Sequence, residues 1–136
     1  MTPSVIVDAG PLAAFYLPRE RHHEWVVDQF KRIEGQLITC EPVLAETCFL
    51  LARWQIPAWK LLNKVEDGAI AIEFAFANEV SAVSELMNRY ADQPMSLADA
   101  CLVRMSELMD APICTIDSDF RIYRKNRRQR IPLIAP

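Results

Sequence analysis

An α/β fold with a mostly parallel sheet, covered by helices on both faces, is predicted for this chain by three observations. Short apolar runs alternate with amphipathic helical stretches along the whole length, the pattern of strands joined by crossover helices. The 136 residues, 51% apolar and 24% charged, suffice for one well-formed core but not two. Only three glycines are present, with no repeat, low-complexity segment or linker, so residues 1–136 read as a single domain.

Each element has a local reason. Val5, Ile6 and Val7 are three consecutive β-branched residues, giving a strand over 4–7 buried on both faces. The run stops on Asp8, before the small residues Ala9 and Gly10 and a helix beginning near Pro11. Trp25, Val26, Phe30 and Ile33 recur at helical spacing, and residues 36–39 form the second strand. Pro42 suits the first turn of a helix over 42–55, and Pro57 separates it from another over 58–67. A strand over 70–74 precedes Val80, Val83, Met87 and Tyr90, again at helical spacing. Ser96 suits the N-cap of a helix running through L-A-D-A-C-L-V-R-M. Strands over 113–116 and 131–134, with a helix starting near Phe120 between them, complete the pattern. In such sheets ligands bind beyond the carboxyl ends of the strands, where the strand order reverses.

Composition excludes several classes. No apolar run approaches the ~18 residues of a membrane-spanning helix. The stretch from Met1 to Ser4 lacks the basic cluster of a signal peptide, so a cytoplasmic protein is expected. Cys40, Cys48, Cys101 and Cys114 show no C-x-x-C spacing and sit in apolar surroundings, which favours buried thiols over zinc or disulfides. Net charge is −3, yet residues 121–130, R-I-Y-R-K-N-R-R-Q-R, hold six basic side chains and no acid. The remainder has 9 basic against 18 acidic residues, a balance of −9.

Acids stand where the pattern favours apolar or neutral residues. Asp8 and Asp117 each end a strand-like run, and Asp119 follows closely. Asp99 lies at the edge of the stripe formed by Ala98, Cys101, Leu102 and Met105. Glu46, three after Val43 and four before Leu50, is expected on the buried face of its helix. Taken singly, Asp8 and Asp117 suit helix caps, and Asp99 completes an S-x-x-D capping box with Ser96. Glu46 has no cap to make. Two strand ends and a helix first turn can meet at one sheet edge, where buried carboxylates would repel one another. A hard divalent cation removes that penalty, and without His or Cys ligands the expectation is magnesium or manganese. Phosphate chemistry follows, because such ions activate water and stabilise a leaving oxygen. There is no G-x-x-x-x-G-K-[ST] loop, no G-x-S-x-G elbow, and no D-x-D at Asp8. His22 and His23, beside Glu24, are expected to face solvent.

V-I-V-D, E-P-V-L-A-E, S-L-A-D-A and T-I-D-S-D-F, in that order from Val5 to about Ile134, resemble the PIN domain family. The nearest likeness is to small single-domain members, which include VapC-type toxins of bacterial toxin–antitoxin pairs. The resemblance implies a three-layer α/β/α sandwich with a central mostly parallel sheet of four to five strands. It also implies a Mg²⁺- or Mn²⁺-dependent nuclease, usually acting on RNA, in which activated water leaves a 5′-phosphate and a 3′-hydroxyl. It carries metal binding and catalysis onto Asp8, Glu46, Asp99 and Asp117, with Asp119 as a second-tier ligand and Thr115 orienting the cluster. Homodimers and a small antitoxin protein are the partners it implies. Many relatives place Ser or Thr after the first Asp, whereas this chain has Ala9 and Gly10.

The basic block supplies candidate phosphate contacts in Arg121, Arg124, Lys125, Arg127, Arg128 and Arg130, with Tyr123 available for stacking. Its plainer reading is a solvated helix and turn. Trp25, Phe49, Trp54 and Trp59 are expected mostly in the core, with Trp54 or Trp59 able to serve an interface. Two functions are therefore carried forward: a metal-dependent endoribonuclease, and a catalytically weak PIN-like domain that binds RNA or a protein.

Overall fold

A computed structural model describes residues 3–136 of the chain. Five parallel strands form the central sheet: β1 (Val5–Val7), β2 (Leu37–Thr39), β3 (Ile70–Ile72), β4 (Ile113–Cys114) and β7 (Leu133–Ile134). Their spatial order is β3-β2-β1-β4-β7. Ile6 sits opposite Ile38 on one side and Ile113 on the other, so β1 is the central strand. The strand order reverses there: the chain first builds outward through β2 and β3, then crosses to β4 on the far side. That reversal opens a crevice at the carboxyl end of β1, where Asp8 stands.

Six helices flank the sheet in a three-layer α/β/α sandwich: α1 (Ala9–Phe15), α2 (His23–Lys31), α3 (Glu41–Ala52), α4 (Trp59–Glu66), α5 (Phe76–Arg89) and α6 (Leu97–Leu108). Helix α6 lies deepest. From Ala98 to Ser106 all its residues except Arg104 are buried, against β1, α3 and α5. Val5, Ile6, Val7, Leu12, Leu102, Met105 and Ile113 are essentially inaccessible to water. Each contributes about 1.5–3 kcal/mol of apolar burial, which fixes the strand ends that carry the acids.

The structure corrects several sequence expectations. The segment after Asp117 forms a 3₁₀ turn (Ser118–Arg121) and then an antiparallel hairpin, β5 (Arg124–Lys125) with β6 (Gln129–Arg130), in place of a helix. Strands 70–74, 113–116 and 131–134 are each shorter than their apolar runs: pairing ends early in the first two and begins late, after Pro132, in the third. Tyr123 is fully buried and packs edge-on against Phe120 and Tyr90, so it is not available to stack on a base. Phe49, Trp54 and Trp59 are 64%, 69% and 59% exposed, not core. The inward face of α3 is Val43, Thr47 and Leu51, at strict four-residue spacing. Glu46, expected on that face, is solvent-exposed. His22 and His23 are half-buried, and His23 Nδ1 lies 2.7 Å from the Ala14 carbonyl oxygen. Cys40, Cys101 and Cys114 are buried free thiols, as their apolar surroundings predicted, while Cys48 is half-buried.

Candidate active site

Asp8 follows the last residue of β1 and is 6% exposed. One carboxylate oxygen accepts from the Ala9 backbone N–H at 2.7 Å, capping α1. The other accepts from the Thr115 hydroxyl at 2.8 Å, across the seam between β1 and β4. The Thr115 oxygen in turn accepts from the Asp117 N–H at 3.0 Å, so one hydroxyl ties both strand-end acids together. Asp117 Oδ1 accepts from the Asp119 N–H at 2.9 Å, which starts the 3₁₀ turn and leaves Asp117 exposed at the rim.

Asp99 enters from the first turn of α6 and is 8% exposed. It completes a reciprocal capping box: its N–H donates to Ser96 Oγ, and its carboxylate accepts from the Ser96 N–H, both at 3.1 Å. The Tyr123 hydroxyl approaches the same Asp99 oxygen at 3.4 Å. Capping and clustering are therefore compatible here: Asp8, Asp99 and Asp117 each satisfy a turn with one part of the carboxylate and keep lone pairs to spare.

Electrostatics shows which acids meet. Burial pushes the Asp8 carboxyl up to about 7, with Asp99 and Glu46 adding repulsion against the hydrogen bonds from Thr115 and Ala9. Glu46 is raised by partial burial, then by Asp99 and Asp117. Asp99 is raised by burial and by Asp117, against its Ser96 and Tyr123 hydrogen bonds. Repulsion thus links Asp8 to Asp99 and Glu46, and the charge of Asp117 acts on Glu46 and Asp99. Asp119 is outside this exchange; burial raises the Tyr123 hydroxyl, and Asp99, Asp119 and Asp117 add to that shift.

Among the described residues, no three Asp, Glu, His or Cys side chains are drawn together into a ready-made metal cage. The donor set nevertheless fits a hydrated hard cation, which takes oxygen ligands, keeps several of its own waters and needs only one or two direct carboxylates. Burial and then the Asp8 charge push the neighbouring Cys114 thiol up to about 12.

Two participants were missed in the sequence. Tyr123 reaches Asp99 only because the hairpin folds it inward. His22 borders a gap shared with Asp117, Ser118 and Arg121. No linear signal connects His22 to a strand end almost a hundred residues away. Thr39, whose hydroxyl donates to the Val7 carbonyl at 3.0 Å, holds the β1–β2 seam beside Asp8.

A parallel sandwich with carboxylates bordering its topological switch point defines a class of acid-lined α/β proteins. The chain belongs to the PIN domain family, whose model matches residues 5–126. Its fold is similar to that of VapC20 from Mycobacterium tuberculosis, described as a sarcin–ricin-loop-cleaving toxin. The TM-score is 0.77 at 19% identity, covering 91% of this chain and 99% of that one. A search of curated protein sequences found no match.

Proposed function

We propose that this chain is a Mg²⁺- or Mn²⁺-dependent endoribonuclease that hydrolyses RNA phosphodiester bonds, acting as the toxin of a toxin–antitoxin pair. The observation that carries this reading is the joining of Asp8 and Asp117 through the Thr115 hydroxyl at the carboxyl ends of two adjacent strands, with the charges of Glu46 and Asp99 close enough to raise Asp8 further. Asp8, Glu46, Asp99 and Asp117 would hold the cation, with Asp119 as an outer ligand. When bound, it supplies the charge that neutralises them and the Lewis acidity that activates water and steadies the leaving oxygen.

The chain's own groups supply orientation. Thr115 fixes the Asp8 carboxylate and favours its charged form; Ser96 and Tyr123 do the same for Asp99. The adjacent basic block provides counter-charge for an RNA backbone on an otherwise acidic chain. The likeness to VapC20, a toxin that cleaves the sarcin–ricin loop, supports RNA as the substrate and a toxin role. In this reading residues 1–136 act as one PIN-like domain in the cytoplasm, with a small antitoxin protein and a second copy of the chain as partners. Exposed Phe49, Trp54 and Trp59 support a protein partner.

One observation favours the alternative of a catalytically weak domain that binds RNA or a protein. No hydroxyl follows Asp8, and a Cβ at Gly10 would stand 2.7 Å from Ile116 Cγ1, so position 10 has no room for one. The deciding experiment is cleavage of a mixed RNA pool with Mg²⁺, Mn²⁺ or EDTA, comparing wild type with Asp8→Asn. The nuclease reading expects activity only in wild type with metal. RNA binding without cleavage under every condition supports the alternative, and cleavage that survives EDTA or Asp8→Asn defeats the metal mechanism.

A further inference from the structure

A cavity of about 410 Å³ lies under the basic hairpin. Arg121, Arg124 and Arg130 line it, with Leu133 and the nearly buried Phe120 and Ile131. A smaller gap of about 210 Å³ borders His22, Asp117 and Arg121. Arg121 and Ala135 line both spaces, so they adjoin. Arg121 therefore stands between the gap at the rim acid Asp117 and a chamber that none of the four carboxylates lines.

The six basic residues of the hairpin are not equivalent. Arg127 pairs with Glu85 at 2.8 Å and borders a different cavity, together with Arg89, Arg104 and Glu107. One Arg124 nitrogen donates to the carbonyl oxygens of Arg121, Ile122 and Tyr123, which pins that guanidinium at the chamber wall. Arg121 and Arg130 are exposed and, among the described residues, have no ion-pair partner. Lys125 and Arg128 do not line the chamber. Guanidinium groups match phosphate oxygens in a two-pronged geometry, and an apolar surface between them accepts a base. Phosphate and base together are the chemistry of a nucleotide.

Resting on the nuclease reading above, we infer that this chamber is a subsite for one flanking nucleotide of the RNA. Its phosphate lies between Arg121 and Arg130, its base against the apolar wall at Leu133 and Ala135. Occupancy sets the register of the strand over the acids, so cleavage position depends on a nucleotide that is not itself cut.

The test uses a fluorescent single-stranded RNA that the wild-type protein binds, with its phosphates replaced singly by uncharged methylphosphonates. Affinity is read by anisotropy in EDTA, and the scissile bond is mapped separately with Mg²⁺. The expected result is one non-scissile phosphate whose neutralisation weakens wild-type binding about tenfold, the scale of a lost charge-assisted contact. Arg121→Ala and Arg130→Ala should bind about tenfold more weakly and become insensitive at that position. Arg128→Ala, which removes the same charge outside the chamber, should weaken binding of every substituted RNA alike and keep the wild-type sensitivity at that one position. If RNA is bound and cut but Arg121→Ala and Arg130→Ala keep the wild-type pattern, the subsite is wrong and the nuclease reading stands. If no RNA is bound or cut, both fall together.

Discussion

At the scale of single residues, Asp8 is both a helix cap and the most strongly perturbed acid of the crevice. Its folded-state pKa of about 7 lies above the ordinary 3.8, so the folded protein holds that proton more tightly than the unfolded chain. The resulting stability is present in full below about pH 4 and is lost as pH rises to about 7; Glu46 and Asp99 shift in the same direction. Urea denaturation of the metal-free protein should therefore show stability falling across that window, by on the order of 3–4 kcal/mol from Asp8. Asp8→Asn should flatten the slope and be about 1–3 kcal/mol more stable than wild type at pH 8, while abolishing cleavage. A large loss of stability at pH 8 would instead make the cap its main role. Thr115→Val removes the hydroxyl that serves Asp8 and Asp117 together. It should cost about 1–3 kcal/mol by leaving buried partners unpaired. It should also move the acid limb of the cleavage pH profile upward, because the bond that favours charged Asp8 is gone.

At the scale of elements, the close approach of α1 to the end of β4 sets the turn after Asp8. Gly10 is small because Ile116 occupies the space beside it, with Cγ1 at 2.7 Å from where a Cβ would stand. Gly10→Ala should lower stability by about 1–3 kcal/mol through overpacking and shift Asp8 relative to Thr115. Equal denaturation midpoints for the two proteins would show that Ile116 yields freely. The hairpin illustrates what local pattern conceals. Its seven residues, 124–130, lack the strand alternation that marks a hairpin, and Asn126 and Arg127 take left-handed φ values of 49° and 72°, which suit asparagine but not arginine. Tertiary bonds hold the turn: the Asn126 N–H donates to Glu107 at 2.7 Å, Arg127 pairs with Glu85, and buried Tyr123 anchors the root. On α3, the Val43–Leu50 spacing suggested a buried Glu46, but Thr47 takes the inward place by donating its hydroxyl to the Val43 carbonyl at 2.7 Å. A polar residue that satisfies itself on its own helix looks hydrophilic in sequence and behaves as core.

At the scale of the molecule, the proposed cation binding would be linked to folding. A divalent cation that binds only the folded chain should raise its stability by about 2.7 kcal/mol at a hundred times its dissociation constant. Thermal melts at pH 8 should shift upward with Mn²⁺ in wild type and much less in Asp8→Asn, with Ca²⁺ and Zn²⁺ reporting the site's selectivity. Identical shifts in both proteins would place the cation elsewhere. The sequence by itself determined the α/β class, the central buried strand, the approximate elements and the four acid-bearing motifs. All of these follow from local chemistry: β-branched runs, helical periodicity, and charges set where apolar residues are expected. Only the tertiary structure decided that β1 lies between β2 and β4, which makes the end of that strand a crevice. It also decided that one threonine hydroxyl joins two acids, that Tyr123 turns inward, and that, among the described residues, Arg121 and Arg130 line a chamber with no ion-pair partner. Those outcomes depend on contacts between residues far apart in the chain, such as Asp8 with Thr115, and their energies are set by burial and mutual charge that no local window contains.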